Sequence, residues 1–180
     1  PNSSDAHREL ILKNFETLPE IAKLPGPQFV YVHFLTPHPP FVFEHDGTPV
    51  DRGDMFSLNM DAPEEEKEEW YAIYREGYGE QVQFINKKVM GAVDGILANS
   101  ETPPIIVFQA DHGPAMFLDF SSSENSCLKE RFSPLAAYYL PGVSNDKIPA
   151  DITPVNLFRI IFNEYFDADY PLLENEYFFS

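Results

Sequence analysis

Two short runs of β-branched and aromatic residues, QFVYVHFL at Gln28–Leu35 and IIVFQ at Ile105–Gln109, most constrain what this chain can fold into. Neither alternates apolar with polar residues, so each reads as a strand covered on both faces, the pattern of a parallel sheet flanked by helices. Between them, Tyr78, Val82, Ile85, Val89, Val93 and Ile96 recur at helical spacing, in a stretch expected to end near Asn99. Strand, helix and strand in that order predict a right-handed parallel unit. FSPLAAYYLPG offers a third strand at about Pro134–Leu140. DITPVNLFRIIFNEYF offers a closing helix, with Thr153 as its cap and Pro154 in its first position. The expected fold class is therefore α/β with a mainly parallel sheet.

Other segments fill in this frame. A first helix capped by Ser3 or Ser4 carries Leu10, Ile11, Phe15 and Leu18 on one side, with Pro19 placed to bend or split it and Pro25-Gly26-Pro27 to end it. Prolines and glycines interrupt TPHPPFVFEHDGTPVDRGD too often for regular structure, which makes it a long surface loop. APEEEKEEW starts the central helix, with Pro63 in the first turn and its acids facing solvent. Lys and Arg number 12 against 29 Asp and Glu, a formal charge of −17 that disfavours nucleic acid and anionic membrane surfaces as partners. A lone cysteine, Cys127, excludes an intrachain disulfide. No run is long enough to span a membrane. A chain opening on Pro1 reads as part of a longer protein, with any anchor upstream.

The chemistry concentrates where the strands end. Asp111 and His112 come one residue after the second run, and a carboxylate beside a neutral imidazole suits a divalent ion of borderline hardness. Neighbouring residues can share one ion only where the chain leaves strand geometry, and Gly113 permits that departure and a close backbone approach. His38, held between Pro37 and Pro39 just past the first run, is placed to contact an anionic oxygen. His33 reads as a hydrogen-bonded core residue, His45 as a loop residue and His7 as a surface residue. SSSENSCLKERF reads as a flexible loop above the site, where Lys129 and Arg131 either attract an anion or are simply solvated.

In their order and spacing, HFLTPHPPF, YGEQVQFINKKVMGAVDGIL, PPIIVFQADHGP, RFSPLAAYYLPG and ITPVNLFRIIF resemble the alkaline phosphatase superfamily, in its sulfatase-like and lipoteichoic-acid-synthase-like branch. The resemblance runs over nearly the whole chain. It implies a partial three-layer sandwich, with residues 1–180 forming one domain, the carboxyl-terminal part of a sulfatase-like catalytic domain. It also implies Asp111 and His112 as ligands of one divalent metal (Mn, Zn, Mg or Ca), and His38 as a contact to the oxygens of an anionic ester substrate. The nucleophile would lie in an amino-terminal part absent here, so the chain alone would hold no catalytic nucleophile and would be inactive. CLKER has Lys129 where the sulfatase signature has Pro and follows the Asp-His pair, which rules out Cys127 as a formylglycine precursor. No His follows His112, which points to one metal.

The resemblance further implies anchoring through an upstream segment, the extracytoplasmic face of the cell membrane, and an exposed sheet edge open to self-association. Three functions are expected in turn: a sulfate-ester or phosphodiester hydrolase or transferase; a non-catalytic extracytoplasmic domain of the same fold; and an unrelated α/β domain in which Asp111-His112 is only a turn.

Overall fold

The structure is a computed structural model and describes residues 3–52 and 67–178. Its residues form two compact units, 1–102 and 103–180.

In the first unit, helix α1 (Ser3–Ile21) packs against helix α2 (Lys67–Asn99). On α1, Ile11 and Phe15 are buried while Leu10 is exposed, because one residue along a helix turns about 100° away from the buried stripe. Pro19 does not split α1, which continues to Ile21. Its ring lies where a side chain at Gly95 of α2 would stand, and Asn99 donates to its carbonyl at 2.9 Å. The start expected at Pro63 falls outside the described residues, whereas the end at Asn99 is as expected. The buried face of α2 runs through Trp70, Tyr74, Gln81, Phe84, Ile85 and Ala92.

The loop after Leu35 is the most buried irregular segment of this unit. Phe41, Val42 and Phe43 are each only 1% exposed. Phe43 packs on Phe84 with the rings tilted, centroids 4.6 Å apart, and Phe41 meets the Tyr74 ring edge-on at 5.2 Å. Gly77 is needed here because a Cβ would collide with the Phe41 ring.

The second unit contains strand β1 (Ile106–Gln109), the one-turn helix α3 (Leu128–Arg131), strand β2 (Ala136–Tyr139) and helix α4 (Pro154–Phe166). Leu140, Leu157 and Ile161 form its core, backed by Val107, Tyr138 and Tyr165. Pro154 opens α4 as expected, although the Thr153 side chain makes no capping bond. One side of α4 clasps the chain that follows it: Asn156 bonds both the N–H and the carbonyl of Leu173, Arg159 donates to the Pro171 carbonyl, and Asn163 bonds both backbone groups of Tyr170.

The expected sandwich with a mainly parallel sheet is not formed. β1 and β2 pair antiparallel, Ile106 opposite Tyr139 and Gln109 opposite Ala136, in a two-stranded sheet. Parallel neighbours need a crossover element that carries the chain back along the sheet. Residues 110–135 contain only the single turn of α3, so the chain returns in the opposite direction. Nor is Gln28–Leu35 a strand. It carries no ladder, and Phe29, Tyr31 and Leu35 are 88, 78 and 56% exposed, with Phe34 alone of these packed, on Phe15 at 4.4 Å. An apolar run becomes a strand only where a partner accepts its hydrogen bonds. No described helix is long and apolar enough to cross a membrane.

Candidate functional site

β1 ends at Gln109, and Ala110 still donates to the Leu135 carbonyl at 2.9 Å. The backbone then bends at Asp111 and His112, where the His112 N–H donates to Asp111 Oδ1 at 3.0 Å. That bend turns two side chains that a strand would point apart toward one place, so that Asp111 Oδ2 and His112 Nε2 are 3.4 Å apart. Gly113 has no positive φ. It is glycine because a Cβ there would stand on the carbonyl oxygen of Glu130, as its N–H donates to the Arg131 carbonyl at 2.8 Å. The close approach made at Gly113 is thus to the backbone of α3.

Arg131, which the sequence left undecided between anion attraction and solvation, lies against the His112 ring. Its Nη1 lies 2.6 Å from His112 Nδ1 and donates to the Gly113 carbonyl at 3.1 Å. Asp111, His112 and Arg131 line a cleft of about 790 Å³ together with Gln109, Tyr138 and Asp151. Burial pushes the Tyr138 phenol up, so it stays a protonated donor, directed at Gln109 Oε1. Lys129 is exposed, as a solvated charge would be. The serine-rich loop before α3 is held by its own polar groups: Asp119 accepts from both the N–H and the hydroxyl of Ser121, and Ser126 donates to the Asp119 carbonyl at 3.0 Å.

The chemistry of the donor pair fits one divalent ion. Two ligands about 2.1 Å from zinc at the tetrahedral angle lie about 3.4 Å apart, which is the spacing found here. The pair supplies two corners only. Among the described residues, no group of three or more His, Cys, Asp or Glu converges as a metal site.

His38 belongs to the first unit. Its Nδ1–H donates to the Pro39 carbonyl at 2.8 Å, which leaves Nε2 with its lone pair. The peptide bonds before Pro37 and Pro40 are cis. Gln81, fully buried on α2, holds this loop: Oε1 accepts the Val42 N–H at 2.8 Å, and Nε2 donates to the carbonyls of Pro37 at 3.3 Å and His38 at 3.5 Å. The signal for Gln81 was a neutral amide seated among aromatic residues on the buried side of a long helix.

Of the other histidines, His45 is a loop residue as expected, whereas His33 and His7 differ from their expected roles. His33 is exposed and in no strand, so it is not a core residue. The His45 ring and N–H both bond Glu80 Oε2, at 2.5 and 2.8 Å, and these bonds hold that carboxyl below its usual range. His7 buries an Nε2 that has no partner.

Comparison with protein-family models, curated proteins and solved structures gives no match to this chain.

Proposed function

We propose that the chain is part of a metal-dependent hydrolase or transferase acting on sulfate esters or phosphodiesters, with Asp111 and His112 as two ligands of a single divalent ion. One observation carries this reading: the 3.4 Å spacing of Asp111 Oδ2 and His112 Nε2 on the wall of a cleft that also presents a guanidinium. The ion, when bound, would supply Lewis-acid stabilisation of charge on the transferred group. Arg131 offers planar, paired N–H donors suited to an oxyanion, and Tyr138 offers a neutral one. An extracytoplasmic, membrane-anchored setting belongs to the same reading.

The donor count favours a second reading, a domain that keeps part of this architecture without the chemistry. Metal analysis separates the two. After dialysis against zinc or manganese, the chain is expected to hold an equivalent of metal that Asp111→Asn and His112→Gln both remove. Equal metal content in all three proteins would refute the catalytic reading.

A further inference from the structure

The polar side of α4 grips the chain that follows it by main-chain atoms, and from that grip we infer that Asn156, Arg159 and Asn163 form a binding site for an extended peptide running antiparallel to the helix. Residues 170–175 are then a removable occupant of that site and not part of the core. This is independent of the metal-site reading.

Asn163 Oδ1 accepts the Tyr170 N–H at 2.8 Å while its Nδ2 donates to the Tyr170 carbonyl at 2.9 Å. Asn156 repeats that pair at Leu173 with the same two distances. Between them, Arg159 donates to the Pro171 carbonyl at 3.0 Å. A carboxamide that bonds the N–H and the carbonyl of one residue does what a residue of an antiparallel edge strand does. Asn156 and Asn163 are two helical turns apart, about 10.5 Å along the axis. Their partners Tyr170 and Leu173 are three residues apart, which an extended chain covers in about 10 Å. Only an extended chain keeps step with both asparagines. Side chains are read at the two ends alone. The Tyr170 ring meets Phe162 edge-on at 6.1 Å and the Arg159 guanidinium at 5.7 Å, in a groove of about 500 Å³ shared with Val155 and Phe158. The Asn175 side chain bonds Asn156 at 3.1 Å and the Asp151 carbonyl at 2.9 Å. The ligand class is therefore an extended peptide with an aromatic residue at the Asn163 end.

What holds the occupant is weaker than what holds the site. Leu157, Ile160 and Ile161 of α4 are buried, whereas Tyr170, Leu172 and Leu173 each keep about half of their surface in water and belong to no core cluster. The segment after α4 forms neither helix nor strand. Hydrogen bonds made in exchange for water contribute little net, so a segment that buries little apolar area leaves more readily than the helix it lies on. When it leaves, the asparagines and Arg159 stay on a helix whose opposite side remains packed.

The test uses the 180-residue chain carrying Leu173→Pro, which removes the N–H that Asn156 accepts and so weakens the resident segment while leaving α4 unchanged. A fluorescein-labelled peptide of residues 168–178 is titrated in by anisotropy. It is expected to bind this variant at least about tenfold more tightly than wild type, whose own segment competes at a high effective concentration. Adding Asn156→Leu to the variant should weaken the peptide at least about fivefold, the scale of a lost hydrogen-bonded pair. A peptide with Leu173→Pro should weaken equally. One with Leu172→Pro should bind within about twofold, because the Leu172 N–H makes no hydrogen bond among the described residues. Equal binding to wild type and variant, or indifference to which residue is proline, overturns the inference. A second measurement needs no variant to fold. In wild type, the amides of Tyr170 and Leu173 should exchange with deuterium at least about tenfold faster than those of Ile160 and Ile161. A common rate for segment and helix would make the segment part of the core and overturn the inference by itself.

Discussion

Gly113 and His7 show how a residue's environment replaces the role its type suggests. Gly113 had a legible reason to be glycine, a close backbone approach, but the approach is to the Glu130 carbonyl and no sequence rule names that partner. His7 looked like a surface residue of α1. Its Nε2 is buried without a partner, and burial, followed by the neighbouring Arg8 charge, pushes its pKa below the ordinary imidazole value of about 6.5. The sign of the linkage follows. A histidine whose folded pKa lies below its unfolded one is protonated first in the unfolded chain, so stability is complete above pH 6.5 and is lost as pH falls through that value. Replacing His7 with Leu removes the orphaned nitrogen and should raise stability by about 1 kcal/mol at neutral pH. The gain over wild type should widen between pH 7 and pH 5. Urea unfolding of both proteins across that range measures it, and a gain that shrinks on acidification would show that His7 is not buried as the neutral ring.

At the scale of elements, helices were legible and the sheet was not. The end of α2 at Asn99, Pro154 at the start of α4, and the positions of β1 and β2 follow from periodicity, turn residues and runs of apolar side chains. Those signals are local. Strand direction and the very existence of a strand depend on what lies alongside, and the sequence of a run such as QFVYVHFL does not contain its partner. The same limit hid Phe41, Val42 and Phe43, which a count of prolines assigned to an open loop although the loop folds back into the core. Tyr31 separates the expected strand from the observed exposed segment. In a strand covered on both faces, Tyr31→Lys would bury a charge and cost about 3 kcal/mol or more. At the 78% exposure found, it should change stability by no more than about 0.5 kcal/mol. Chemical denaturation of the variant decides between these values, and a large loss would restore the paired strand.

Across the whole molecule, the two units differ in what holds them. The first buries Ile11, Phe15, Val42, Phe43, Phe84, Ile85 and Ala92 in one cluster; it also stacks Trp70 on Tyr74, with Phe41 edge-on to the Tyr74 ring. The second rests on Leu140, Leu157 and Ile161, and leaves Val155, Phe158, Phe162 and Phe166 of α4 between 43 and 64% exposed. Hydrophobic stabilisation scales with apolar area removed from water, so the smaller core gives its backbone hydrogen bonds less protection against local opening. The candidate metal pair hangs from the weaker unit, on a strand whose ladder has one partner. Its donor spacing therefore depends on β1, α3 and the Gly113 contact staying closed together. Amide hydrogen exchange at neutral pH should show β1, β2 and α3 exchanging at least about tenfold faster than Gln81–Ala92 of α2. Zinc, if it binds the Asp111–His112 pair, stabilises only states in which that bend is formed, and should slow exchange at Ala110, Gly113 and Phe132 first. Uniform protection of both units without metal would contradict the unequal cores, and zinc-induced protection elsewhere would move the ion away from this bend.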